Sequence, residues 1–357
     1  MKLKPNEFDL IKSIAPFENV LSDGSIGVGD DCAVFTLQSL FKEDGLINLN
    51  STSKVLISTD TMIDSVHFDR EISSPFDIGW KFGAVNLSDI AAMGGVPQSF
   101  FSSLILNDDL TTDYIKEIYR GLNSVLRMFD VKLAGGNIAK GAQFSLSGTI
   151  LGTADKAVYR SGAKVGESIY VTGPLGLSAL GLRIGKDHIN NDYGTVKNKE
   201  ELSKLLEHHK RPNARVLEGI AVSEFASAMI DISDGFLQDL NHICERSNVT
   251  ARLKLSEIPN YRSEFIKTNE TLSLALNGGD DYELIFTVDE VAKKSSKFCA
   301  LVERHAFVKV GEVINKNDLL EDDYAYNENI YFELSKSNYD GEINILNNLK
   351  TSGYLHF

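Results

Sequence analysis

Cysteine is scarce in this chain and excess basic charge is absent, and each lack closes off a class of function. Three cysteines in 357 residues, Cys32, Cys244 and Cys299, stand far apart with no CxxC spacing, which gives no basis for a disulfide framework or a zinc site. Lysine and arginine number 36 against 50 acidic residues, a formal net charge of −14. Nonspecific nucleic-acid binding needs a basic surface to neutralise phosphates, so no nucleic-acid partner is expected. No run reaches the ~18 apolar residues of a membrane span, and no N-terminal stretch resembles a signal peptide. The expectation is a reducing, cytoplasmic setting with no membrane partner. The usual nucleotide grips are missing too. No Gly-Lys pair is followed by Ser or Thr as in a Walker A loop, and no zinc helix or kinase HRD/DFG pair occurs. Gly27-x-Gly29 lacks the third glycine of a dinucleotide fingerprint. A nucleotide bound here has to be neutralised mainly by metal ions.

What the chain does have is six short blocks of aspartate and glycine: GVGDDCAV (27–34), STDTMID (58–64), NLSDIAAMGG (86–95), LAGGN (133–137), DISDG (231–235) and NGGDDYE (277–283). Acid beside acid is costly unless a cation sits between, and clustered hard oxygens suit Mg²⁺. The blocks therefore point to several Mg²⁺ ions and a polyphosphate held through them.

The length favours two domains. A short helix is expected at 6–14 and a strand at 54–58. Phe76, Trp80, Ala84, Leu87 and Ala91 mark a helix over 76–93 with one buried stripe. A strand at 98–106, a helix over 111–129 and an alternating strand at 143–153 follow. The pattern breaks into a polar connection at 153–166, which sets domains of 1–155 and 156–357. The second half restarts with a strand at 168–172 and a glycine turn into a helix. Residues 185–210 read as an insertion or mobile loop with a helical end. A helix at 211–226, a strand at 228–232, a helix to about Arg246, and strands at 283–288 and 306–313 complete the α/β reading. Residues 39–54 read as a surface connection. No period of 20–50 residues is present, which excludes repeat architectures.

Each block has a bland alternative. Asp30-Asp31 is either a polar turn or a ligand pair at a strand mouth. Ser58-Thr59-Asp60 ends a buried-looking strand, where ligands gather in α/β folds. Asp89 is either on a solvated face or, near a helix C-terminus whose dipole disfavours an anion, beside a cation. Ser233 or Asp234 fits an N-cap, whereas Asp231 closes an apolar run. His67 lies seven residues beyond Asp60. Asp280 and its neighbours form either a turn or a cradle for a cationic ring.

In this order and across nearly the whole chain, the blocks resemble the thiamine-monophosphate kinases, within the wider family of aminoimidazole ribonucleotide synthetase. The matching strings include GVGDDCA, STDT followed by HF, NLSDIAAMG, the GG turn at 135–136, YRSGAKVG (159–166), DISDG, GGDDYE and GYLHF (353–357). The resemblance implies a homodimer whose N-terminal sheet domains meet across the two-fold, a C-terminal α/β domain, and a cleft for ATP and thiamine monophosphate. It implies Mg²⁺ ligation by Asp31, Asp60, Asp89, Asp231 and Asp234, with help from Ser58 and Thr59, and Asp30, the other half of the first acidic pair, is a further candidate ligand. It places ATP against Tyr119, Gly136, Asn137, Arg160 and Ser233, and the thiamine phosphate against His67, Asp280 and Phe357. Asn137, also a candidate metal ligand, stands where such enzymes often have aspartate, which keeps an oxygen and removes a charge. No general base is assigned, because the attacking phosphate oxygen is already ionised near neutral pH. Related selenide kinases would want a cysteine before the GDD block and hydrogenase-maturation proteins a C-terminal one; neither is present. GGNIAK replaces the GGETAE-type turn of aminoimidazole ribonucleotide synthetase. The alternative from another class is a non-catalytic Mg-nucleotide sensor of the same fold.

Overall fold

The computed structural model describes residues 30–36, 54–191, 199–263, 266–320, 322–335 and 339–349. The expected helix at 6–14, most of the 39–54 connection, GYLHF and Phe357 lie outside them. Two sheets organise the chain. The first is formed by β1 (Ala33–Thr36), β2 (Lys54–Ile63), β3 (Val96–Leu106), β4 (Lys132–Lys140) and β5 (Ser145–Ala154) in the order β1-β2-β5-β3-β4. Only β3 and β4 pair in parallel; the other neighbours are antiparallel. Helices α1 (Pro75–Ala92) and α2 (Thr112–Arg127) cover one face. Residues alternate across a strand, so Phe100, Leu104, Leu146 and Ile150 are buried under these helices, while Phe101 and Ile105 on the opposite face are exposed.

Ser74 caps α1, accepting from the Asp77 N–H while Asp77 accepts from the Ser74 N–H, with Pro75 in the first turn. The expected single buried stripe is an underestimate: 14 of its 18 residues are buried. The helix is enclosed by the sheet, by α2, and by elements of the second half, which is where an apolar-all-round helix belongs. Glycines permit the α1–α2 approach. A Cβ on Gly79 would lie 1.8 Å from the Ile118 carbonyl oxygen, and one on Gly121 2.0 Å from that of Phe76.

The second sheet uses β6 (Ser168–Val171), β7 (Ala226–Asp231), β8 (Thr250–Lys254), β9 (Leu284–Val288), β10 (Val308–Ile314), β11 (Tyr324–Ala325) and β12 (Ile330–Glu333), in the order β11-β12-β8-β10-β6-β9-β7. Its helices are α3 (Leu177–Asn191), α4 (Lys199–Lys210), α5 (Val216–Val222), α6 (Phe236–Ser247), α7 (Thr268–Asn277), α8 (Glu290–Lys293), α9 (Ser296–His305) and α10 (Tyr339–Leu349).

Three expectations need correction. Much of 185–210 is helical and packed: Leu177, Leu180 and Ile184 of α3 form a core cluster with Leu202 and Leu205 of α4. The helix expected over 211–226 shrinks to α5. Pro212 lacks an N–H and disfavours helix at the residue before it, so the chain breaks between α4 and α5. The GG turn at 135–136 is instead the middle of strand β4, paired with Phe101 and Ser102. A Cβ on Gly136 would stand 1.9 Å from the Ser102 carbonyl oxygen, so the close strand approach itself calls for glycine.

The largest core cluster ignores the halfway point of the chain. It joins Phe82, Leu87, Ile90 and Met93 to Val222, Met229, Leu284 and Phe286. Along α1 the contact is intimate: a Cβ on Gly219 would sit 2.2 Å from the Ala91 carbonyl oxygen. The two sheet units thus share one apolar seam, and the acidic blocks lie along it.

Candidate active site

Three carboxylates distant in sequence converge at this seam. Oxygens of Asp31, Asp89 and Asp231 all lie within 4.8 Å of one another. Asp31 sits at the mouth of β1, Asp89 in the last turn of α1, and Asp231 at the end of β7. No basic residue accompanies Asp89 in that turn, and the solvated-face alternative for it fails. Ser58 of β2 donates to Asp89 Oδ2, and Ser88 donates to Asp231 Oδ2 at 2.6 Å across the seam. Burial pushes the Asp89 carboxyl well above the usual range, reinforced by Asp60, Asp231 and Asp31. Asp231, 3% exposed, is raised by burial and by Asp31 in the same way. A cluster that resists carrying its own charge is matched to a cation held among hard oxygens.

Arg160, in the connection between the sheets, supplies a guanidinium paired with the cluster. Its Nη2 and Nε donate to the two Asp31 oxygens at 2.8 and 3.2 Å, a bidentate arrangement. Its backbone N–H donates to Asp30 Oδ1 at 2.7 Å. Burial raises the Asp30 carboxyl while that bond opposes it. Asp30 and Asp31 therefore diverge: one fixes the connection, the other faces the cluster. Cys32 is buried beside them, its thiol pushed well up by burial and the surrounding carboxylates, so it stays a protonated, unreactive group.

Strand alternation sorts the remaining candidates. Ser58 and Asp60 lie on the helix-covered face with Leu56 and Met62, and after burial Asp60 is the charge that raises Asp89 most. Thr59 lies on the open face, donating to the Gly148 carbonyl oxygen at 2.6 Å. Asp234 and Ser233 occupy the loop before α6, and Gln238 donates to Asp234 at 3.1 Å. Neither caps α6; the N-cap is Gly235, without a side-chain bond.

The nucleotide candidates on β4 stand apart. Tyr119, Gly136 and Asn137 line a cavity of about 450 Å³ with Ser102, whose hydroxyl is 3.0 Å from that of Tyr119. Asp60, Gly148, Ser102 and Gly136 form one row across β2, β5, β3 and β4. Three strand spacings separate its ends by roughly 14 Å. Within one chain, Asn137 cannot share an ion with Asp60.

His67 and Asp280 approach the seam from opposite sides. The Ile63 N–H donates to His67 Nδ1 at 3.1 Å. Asp280, on the loop before β9, accepts from Lys81 Nζ at 2.9 Å and from the Tyr282 hydroxyl at 2.8 Å. Burial would raise its carboxyl, but Lys81, together with His209 and the Tyr282 hydroxyl, holds it down to about 2. The next residue differs: burial pushes Asp281 up to about 8, against two bonds from the Gly176 and Ser178 N–H groups at the start of α3.

Several residues that organise this site were not singled out from the sequence. Asp239, 2% exposed, accepts the N–H groups of Ser233, Asp234 and Gly235 on one oxygen, each at 3.1 Å. It shapes the loop carrying Asp234. Its signal was an acid in the first turn of an apolar helix. Glu283 pairs with Arg215 and accepts from Thr172 Oγ1 at 2.5 Å. Lys81 and Ser88 sit inside the 76–93 pattern, where burial of polar side chains leaves no periodic trace.

The first half, residues 29–154, matches the family model of the AIR synthase related protein N-terminal domain, and residues 164–320 match that of the C-terminal domain. The thiamine-monophosphate kinase of Bacillus subtilis is 36% identical over 320 residues, covering 87% of this chain and 92% of the relative. That of Escherichia coli K12 is 37% identical over 292 residues, 80% and 83% of the two chains. Among solved structures, AaThiL complexed with AMPPCP and TMP superposes with a TM-score of 0.73 at 28% identity, over 94% of this chain and 97% of that one. The family models span both sheet units, and on these matches the chain belongs to the thiamine-monophosphate kinase family of AIR synthase related proteins.

Proposed function

We propose that this chain transfers the γ-phosphoryl group of ATP to thiamine monophosphate, giving thiamine diphosphate and ADP, at the seam between its two sheets. One observation carries the reading: carboxylates from β1, α1 and β7 meet within 4.8 Å in a chain with no phosphate-gripping lysine loop. The kinship with enzymes of that name supports it, as does the AaThiL complex with a nucleotide analogue and TMP.

The donor set fits Mg²⁺: all oxygen, converging, and held short of full ionisation by burial and mutual repulsion. Asp31, Asp89 and Asp231 would hold the ions with Asp60, further ligands would come from Asp30, Ser58 and Asp234, and Thr59, on the open face, would serve an ion on that side. Bound Mg²⁺ supplies the positive charge that lets two polyanions meet and stabilises the charge of the transferring group. The protein's own part is positioning. Arg160 brings a fixed guanidinium to the triphosphate side, Ser58 and Ser88 orient the carboxylates, and Asp239 shapes the Ser233–Asp234 loop. His67, Asp280 and Phe357 take the acceptor. The acceptor phosphate is already ionised, so no side chain serves as general base.

A homodimer completes the reading. The open face of the first sheet carries exposed Val96, Phe101 and Ile105, a surface suited to burial against a second copy. Thr59 and Asn137 share that face, and since one chain holds them strands apart, pairing of two copies is their route to a common ion. Three free cysteines suit a reducing cytoplasm, and no helix among the described residues is long and apolar enough to cross a membrane.

The test is direct. Purified protein with Mg-ATP and thiamine monophosphate is expected to yield thiamine diphosphate and ADP in equal amounts, and Asp231→Ala to abolish it while leaving a folded protein. Nucleotide binding with no product would overturn the catalytic reading in favour of the sensor.

A further inference from the structure

Lys81 is the least expected charge in the molecule. It lies inside α1 and is 3% exposed, and lysine is almost never fully buried unless paired. Its ammonium group donates to the two residues read above as receiving the acceptor. It donates to the His67 carbonyl oxygen at 3.0 Å and to Asp280 Oδ2 at 2.9 Å. The first belongs to the segment after β2, the second to the loop before β9, so one side chain links both sheet units across 199 positions of sequence.

The Asp280 loop needs such a hold. Asp280 and Tyr282 have φ of +67° and +53°, a left-handed conformation that aspartate tolerates better than most residues but that is an outlier for a bulky one such as tyrosine. Strain of this kind persists only where surroundings over-determine it, and it gathers at ligand sites. Here the surroundings are visible. The Asp280 and Tyr282 N–H groups donate to the Ser233 and Ile232 carbonyl oxygens, both at 2.8 Å. The Tyr282 hydroxyl and Lys81 then each take one carboxylate oxygen. A carboxylate has about four lone-pair sites, so Asp280, whose side chain remains 20% exposed, keeps acceptor capacity turned outward. His209, also buried, stacks no rival charge against Lys81: burial holds its imidazole down to about 3, and Nδ1 lies 3.0 Å from the Ser178 hydroxyl.

We propose that Lys81 is a positioning residue for acceptor recognition: it clamps the His67 segment to the Asp280 carboxylate and fixes both in the arrangement that receives the thiamine half of the substrate. The proposal rests on the reading of His67 and Asp280 as acceptor residues. Lys81 touches neither the nucleotide candidates nor the three-carboxylate cluster, so its loss acts on one substrate only.

The experiment is steady-state kinetics with both substrates varied for Lys81→Met, Asp280→Asn and the double variant. Lys81→Met is expected to raise KM for thiamine monophosphate about tenfold or more while kcat and KM for ATP change by no more than about threefold. Asp280→Asn is expected to give a similar rise. The double variant, which strands no buried carboxylate, is expected to be no worse than Asp280→Asn alone, because Lys81 acts through that carboxylate. Equal losses toward both substrates, a fall in kcat with KM for thiamine monophosphate unchanged, or fully additive effects in the double variant would overturn the proposal. If Lys81→Met fails to fold, the double variant decides: matching Asp280→Asn supports the clamp, and losing all activity refutes it. Should Asp280→Asn leave KM for thiamine monophosphate untouched, the acceptor reading itself falls, an outcome distinct from a silent Lys81→Met beside a damaging Asp280→Asn.

Discussion

Replacing one carboxylate of the cluster should make the metal-free protein more stable and the metal-bound enzyme useless. Two full charges within 4.8 Å of each other repel by about 3 kcal/mol or more at an effective dielectric of about 20. Partial protonation relieves some of this, so the expected gain for Asp89→Asn or Asp231→Asn is about 1–3 kcal/mol. The asparagine keeps an oxygen to accept from Ser58 or Ser88, so no hydroxyl is orphaned. Asp31→Asn is the built-in control, because Asp31 is bidentate to Arg160. Neutralising it strands a largely buried guanidinium and should cost about 3 kcal/mol or more. The assay is urea unfolding at pH 7.5, first in EDTA and then in saturating Mg²⁺. In EDTA the order should be Asp89→Asn and Asp231→Asn above the unmodified chain, with Asp31→Asn below it. Magnesium at a hundred times its Kd adds about 2.7 kcal/mol to a protein that binds it in the folded state only, so it should lift the unmodified chain past the two variants. If Asp89→Asn and Asp231→Asn are less stable in EDTA, or gain as much from Mg²⁺ as the unmodified chain, the carboxylates are a structural network and the cation argument fails.

Two further outcomes follow from the same coordinates. His209 is buried with its imidazole held down to about 3 from an ordinary 6.5; a depressed folded-state value means stability is present above pH 6.5 and is lost as pH falls toward 3, by about 2 kcal/mol at pH 5, so thermal unfolding of His209→Gln between pH 7 and 5 should lose that part of the slope. Phe101, 39% exposed at the centre of the open sheet face, should bury itself against a second copy, and Phe101→Glu is expected to sediment as a monomer where the unmodified chain sediments as a dimer; identical profiles would refute that interface.

The elements legible in the sequence were those with a period. Alternation over 143–153 and the apolar stripe of 111–129 correspond to β5 and α2, with the Thr111 side chain capping the latter by accepting the Tyr114 N–H. The misreadings have local physical sources. The two glycines of 135–136 look like a turn because glycine permits turns, yet here they allow a strand to press against Ser102. Likewise 185–210 looks solvated because its apolar residues are sparse, though Leu202 and Leu205 suffice to dock α4 on α3.

The candidate site divides the same way. Carboxylates that face a metal come in short runs with glycine and serine, and those runs are visible one at a time. Groups that hold the carboxylates in place are not. Lys81 occupies a slot in α1 that an apolar residue would also fill, and its meaning comes only from Asp280, 199 positions away. Asp239 is an ordinary first-turn acid until three N–H groups are seen to converge on it. Such second-rank residues can only be read once the fold is known, because their partners are backbone atoms or side chains from the other sheet. Their burial also makes them the more informative to mutate. A surface charge can vary with little consequence, but a buried one whose partner is removed leaves a desolvated charge worth several kcal/mol, and that cost registers in whichever substrate's binding the partner serves.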